Sequence, residues 1–324
     1  MQKRQAHWTR LEALLGACDT RGIRTLDHRD LRELALLYRQ TAADLSTARA
    51  DPRSATLARY LNELLGRAHN HVYIGAPTGA RGILYFFTQR FPQVFRETWR
   101  YTAAALLVFT AGAALGILLS VTDPAFERFL LGIDMIDTID KREMWTHSIV
   151  AIKPVASSGI MTNNIAVSFA TFAGGILGGV GTLYAMAMNG LLIGVVAFSC
   201  VRSGLGLSLF SFIAPHGSLE LPSLFIAGGA GFLLGRGVLF PGRLSRRDSL
   251  LIAGRQAVRL LLGVIPLLVI AGIIEGFVSP TDLAVPFKFL IGASLFVLLA
   301  LYLLAAGRRS QPTLTTSLTT DSES

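Results

Sequence analysis

The stretch TAAALLVFTAGAALGILLSV, residues 102–121, carries no charged side chain. A helix needs about 20 mostly apolar residues to cross a bilayer, and this stretch supplies them. Working outward, apolar runs continue as far as residue 307 and resolve into six expected spans, at about 101–121, 165–188, 190–213, 221–240, 257–276 and 286–306. The fold class is therefore all-α, a polytopic membrane bundle of about six spans. Composition agrees. The chain is 52% hydrophobic and 16% charged, whereas a soluble domain is about 25% charged.

Residues 1–80 read differently, as a helical module. Leu31, Leu34, Tyr38, Leu45 and Ala48 recur at helical spacing, Asp51-Pro52 interrupts them, and Leu57, Leu61, Leu64, Ala68 and Val72 resume the pattern. The spacing predicts an antiparallel hairpin. Residues 81–100 mix Leu84, Tyr85, Phe86, Phe87, Phe91, Phe95 and Trp99 with Arg90, Arg96 and Arg100. That mixture suits either an amphipathic helix in the headgroup layer or the core of the module. The spans then occupy 101–307, and a Ser/Thr-rich tail, 308–324, is expected to be disordered. No apolar signal-peptide core occurs in the first 25 residues, so the first span is expected to direct insertion itself.

An even number of spans puts both termini on one side, and the charges say which. Residues 1–100 hold 16 Lys and Arg, and the loop after the fourth span carries Arg243, Arg246, Arg247, Arg255 and Arg259. The segment 122–164 is instead rich in acids, among them Asp123, Glu127, Asp134, Asp137, Asp140 and Glu143. Basic loops stay inside. The expectation is an inner-membrane protein with cytoplasmic N and C termini. Its formal charge of +9 is then a matter of topology, and no nucleic-acid partner is expected. Cys18 and Cys200 fall in a polar segment and an apolar run, which argues against a disulfide.

Five polar residues stand beside or within the apolar runs: Asn163, Asn164, His216, Glu220 and Glu275. An ionisable group at that depth costs about 2.5–3.5 kcal/mol on insertion scales, which makes it a candidate for function. With the amino terminus inside, all five fall at the external ends of their spans and would form one polar site; three separate helix caps are the plainer alternative. Arg202 is expected near the midplane of the third span, at a kink marked by Gly204 and Gly206, or between two half-helices. Asn189 and Gly190 precede it as candidate structural or gating residues. Gly190 with Gly194, Gly231 with Gly235, and the run Gly174 to Gly181 have small-xxx-small spacing, which lets helices approach closely within a bundle or between copies.

No nucleophile elbow, phosphate loop or convincing carboxylate pair is present, so no catalytic residue is assigned and the chain is not expected to be an enzyme. His216 and Glu220 are poor metal ligands unless Glu275 joins them. Neither a metal nor a cofactor is expected. Asp134, Asp137 and Asp140 read as one solvated helix face.

These residues also carry a resemblance. Leu36-Leu37-Tyr38-Arg39, Ala43-Asp44-Leu45, Arg67-Ala68-His69, Met161-Thr162-Asn163-Asn164-Ile165, Gly178-Gly179-Val180-Gly181-Thr182, Pro215-His216-Gly217-Ser218-Leu219-Glu220-Leu221, Ala227-Gly228-Gly229-Ala230-Gly231 and Ile274-Glu275-Gly276 resemble the stage II sporulation protein M family. The resemblance covers about residues 5 to 305. It implies a membrane protein; in spore formers a member resembling the membrane part of this chain works with peptidoglycan-degrading partners, and most other members have no assigned biochemical activity. The long amino-terminal module departs from the short sporulation proteins. The expected role is a non-enzymatic scaffold or assembly component whose partners are the lipid bilayer and other membrane or envelope proteins, with a homo-oligomer as a further option. A permease or channel component using the polar residues is the alternative.

Overall fold

The computed structural model describes residues 2–21, 26–50, 54–73, 79–144 and 153–305. The break expected at Asp51-Pro52 and the tail at 308–324 lie outside them. The chain divides into two compact units, Met1–Tyr85 and Phe86–Ser324.

The first unit packs three long helices, α1 (Gln2–Arg21), α2 (His28–Ala50) and α3 (Ala55–Tyr73), followed by a short α4 (Ala80–Tyr85). The spacing predicted α2 and α3 as a hairpin; α1 is the addition. Its Leu11, Leu14 and Leu15 are buried against Leu34, Leu37 and Leu64. Asp27 accepts from the backbone N–H of Arg29 and Asp30 and so caps the start of α2. Ion pairs line the outside, where Arg10 reaches Asp30 and Glu33, Arg4 reaches Asp44 and Arg67 reaches Asp19. Trp8 donates its indole N–H to Asp44 as well.

The second unit begins with a π-helical turn, Phe86–Arg90, and a long α5 (Phe91–Thr122). Residues 91–100 are thus part of the first spanning helix and form no separate interfacial helix. Phe91 is fully buried and packs with Val94, Leu260, Val264 and Leu299 in the bundle core. Tyr302 donates to the Phe87 carbonyl, and Arg96 donates to the Leu303 carbonyl at 2.9 Å. Of the aromatic run, Phe86, Phe91 and Phe95 belong to the bundle core, whereas Trp99 is exposed.

Two short helices, α6 (Pro124–Leu131) and α7 (Ile133–Asp140), follow at one end. The bundle continues with α8 (Lys153–Ala173), α9 (Val180–Arg202), α10 (Gly206–Leu239), α11 (Arg246–Phe277) and α12 (Val285–Ala305). Among the described residues, five helical stretches are long and apolar enough to cross a membrane: the one ending at Thr122, and α9 to α12. The helix α8 is the sixth member of the bundle, with Thr162, Asn163 and Asn164 midway along it. Large side chains such as Leu107, Leu118, Leu298 and Leu301 are more than half exposed. In a bilayer lipid covers such a face; in water it would promote association.

The helix boundaries correct the expected spans. The run 165–188 is two helices, because Gly174–Leu177 is a 3-10 turn and Gly178 and Gly179 both have positive φ, 67° and 87°. Two successive left-handed residues end an α-helix. The run 190–213 is likewise divided, at Ser203 to Leu205, where Gly204 has a φ of 80°. The segment from Pro215 to Pro222, expected to open a span, lies inside α10. Proline leaves carbonyls without intrahelical partners, and hydroxyls crowd this segment: Ser211, Ser218 and Ser223 donate to the carbonyls of Ser208, Pro215 and Leu219.

The glycines place the helices. A Cβ at Gly190 or Gly194 would run into the carbonyls of Phe109 and Ala113 on α5, and one at Gly112 or Gly116 into those of Ala187 and Leu191 on α9. The two small-xxx-small faces therefore pack on each other within one chain.

Candidate functional site

Glu220 stands one turn beyond His216, so both side chains lie on one face of α10. The last turn of α11 brings Glu275 to that face. One ligand atom each from His216, Glu220 and Glu275 lie within 4.8 Å of one another. The His216 ring is 7% exposed and the Glu275 side chain 13%, with His216 Nε2 at 3.8 Å from Glu275 Oε1. Oε2 of Glu220 and Oε2 of Glu275 are fully buried and have no hydrogen-bond partner. Burial without a partner is costly for any carboxyl oxygen, so this is an incompletely satisfied polar cluster. It opens onto a cavity of about 470 Å³ with apolar walls that include Met135, Leu192, Phe212 and Ile213.

Behind the cluster lies a supporting layer. His216 Nδ1 and Ser279 Oγ are hydrogen-bonded at 2.8 Å. Ser279 is fully buried, and its carbonyl accepts from Lys288 Nζ at 2.8 Å. The Phe212 ring meets the imidazole edge-on at 5.4 Å. The imidazole is thus held from two sides with Nε2 facing the carboxylates. Among the described residues no lysine or arginine pairs with Glu220 or Glu275.

The remaining expected residues are elsewhere. Asn163 is exposed, Asn164 is half-buried, and neither lines the cavity. Asn189 donates to the Ala185 carbonyl of its own helix at 2.8 Å, and Gly190 is at the α5 contact. Arg202 is the last residue of α9 and not a midplane charge. The helix starts at Val180, not near Gly190, so Arg202 lies about 33 Å along it at 1.5 Å per residue. There it reaches Asp140 at 3.1 Å and the buried Glu127 at 3.4 Å, while Ser199 donates to Glu127 as well. Asp134, Asp137 and Asp140 are all exposed on α7.

Sequence reasoning missed Ser279, Lys288 and Glu127. A signal existed for Lys288, a single cation near the start of an apolar span. None existed for Ser279 or Glu127, whose burial depends on which helices fold over them.

Comparison with known proteins gives a family and little chemistry. The family described as stage II sporulation protein M matches residues 105–280, and a domain of unknown function, DUF8413, matches residues 1–74. An uncharacterized protein of Methanocaldococcus jannaschii is 32% identical over 124 residues, which is 37% of this chain and 69% of that protein. No solved structure matches. The family match includes α9, α10 and α11 whole, and with them His216, Glu220 and Glu275.

Proposed function

This chain belongs to the stage II sporulation protein M family, and from that premise we propose that it is a non-enzymatic assembly component of a cell-envelope complex. The observation that carries this reading is the division into two compact units. One is a helical module with its own core and a surface laced with ion pairs. The other is an apolar bundle. In this reading the module lies in the cytoplasm and recruits partners, while the bundle packs against envelope proteins within the cell membrane. Arg243, Arg246 and Arg247 flank the turn between α10 and α11, and Asp123, Glu127 and Asp134 follow α5. That asymmetry supports placing both termini inside.

A second reading, a permease or channel component, is favoured by the buried His216 and the partly buried Glu220 and Glu275 beside a cavity. Crosslinking in the native membrane, followed by purification, separates the two. The assembly reading requires stable protein partners whose recovery depends on residues 1–85, together with no solute flux in reconstituted vesicles. Flux by the purified chain alone, abolished by Glu220→Gln, sinks it.

A further inference from the structure

The cluster on α10 and α11 has the composition and spacing of a metal site. We propose that His216, Glu220 and Glu275 bind one divalent transition metal ion of the zinc class, with a coordination position left open towards the adjoining cavity. This inference does not rest on either reading of function.

The spacing is the first argument. At 3.8 Å, His216 Nε2 and Glu275 Oε1 are too far apart for a hydrogen bond. An ion with Zn–N and Zn–O bonds of about 2.0–2.2 Å bridges that gap, and Glu220, whose ligand atom lies within 4.8 Å of the other two, joins it with a small side-chain shift. The partners are the second argument. Oε2 of each glutamate is buried without a donor. No lysine or arginine among the described residues pairs with either, and Lys288 Nζ is engaged by the Ser279 carbonyl. With both glutamates ionised and the imidazole neutral, the formal charge of the cluster is one that a single divalent ion cancels, and ion binding would displace any proton the pair holds.

The imidazole itself is the third argument. Metal-binding histidines donate their other ring N–H to an oxygen, which fixes the tautomer and points the free nitrogen at the ion. Ser279 Oγ at 2.8 Å from Nδ1 provides that oxygen. One nitrogen and two carboxylates suit zinc or a neighbouring first-row ion better than magnesium or calcium, which prefer all-oxygen shells. Three protein ligands leave a fourth position, and the cavity of about 470 Å³ is where water or a small oxyanion would take it.

The test uses the full-length protein in detergent, stripped with a chelator and titrated with zinc chloride. One zinc ion per chain is expected, with at least a tenfold loss of affinity in His216→Ala and in Glu275→Gln. Ser279→Ala, a change at the positioning residue, should weaken zinc by about tenfold, within the range of outer-shell substitutions. Other histidines lie in both units, His147 among them, so X-ray absorption on the wild-type complex is required. A shell of nitrogen and oxygen with one imidazole supports the site even where a substituted protein fails to fold. No zinc bound, zinc binding unchanged by His216→Ala, sulfur in the shell, two or more imidazoles, or preference for magnesium over zinc would each overturn the proposal.

Discussion

Arg202 Nη2 lies 3.4 Å from Oε2 of Glu127, a carboxylate whose side chain is only 2% exposed. The pair ties the end of α9 to α6, and Ser199 and Asp140 complete it. A buried carboxylate that loses its cation keeps its desolvation cost and loses its compensation. Arg202 is 44% exposed, so solvent moderates the effect.

Arg202→Ala is therefore expected to destabilise the bundle by about 1–3 kcal/mol. Adding Glu127→Gln should restore part of the loss. Thermal unfolding in detergent reads both. Equal, additive losses from the two substitutions would show that the residues are not coupled.

Close helix approach gives a second expectation. Gly190→Ala and Gly194→Ala place a methyl group against the α5 carbonyls and should each cost about 1–3 kcal/mol. Gly66→Ala, on an exposed face of α3 with open space around it, should instead stabilise the first unit by about 0.5–1 kcal/mol through helix propensity. Opposite signs in melting temperature are the measurement; the same sign at all three positions contradicts the packing described.

The first unit should fold alone. Residues 1–85 are expected to be soluble and helical by far-ultraviolet circular dichroism. Leu15→Ala removes a fully buried side chain and should cost about 2–5 kcal/mol. Hydrogen bonding from Arg10, followed by its charge, holds the Glu33 carboxyl below the usual carboxylate range. A lowered pKa means that the pair contributes above the unfolded value, and that its contribution disappears as pH falls through the folded one. Glu33→Gln should therefore flatten the acid limb of the stability profile, the more so at low salt.

Topology is testable directly. A reporter fused after Ser324 and one in the turn at Gly242 should read the cytoplasmic side, and one inserted at the Lys141-Arg142 turn the opposite side. Agreement of all three would exclude six crossings and with them a spanning role for α8.

Membrane class and the polar residues of the cluster on α10 and α11 were legible because both depend on composition along the chain. A charge-free stretch such as 102–121 has few homes other than a bilayer, and a Glu or His beside one is conspicuous at once. Helix ends were harder. Glycine reads equally as a close-packing face and as a break. Gly190 and Gly194 are the first, while Gly178, Gly179 and Gly204 are the second. Composition and periodicity suffice for an all-α membrane protein with His216, Glu220 and Glu275 at unusual positions. That those three meet, that Asn163 and Asn164 do not line their cavity and that Arg202 belongs to Glu127 follow from the packing of the helices. Periodicity fixes what lies on one helix face, whereas contact between helices depends on where each turn ends and how closely two backbones can approach.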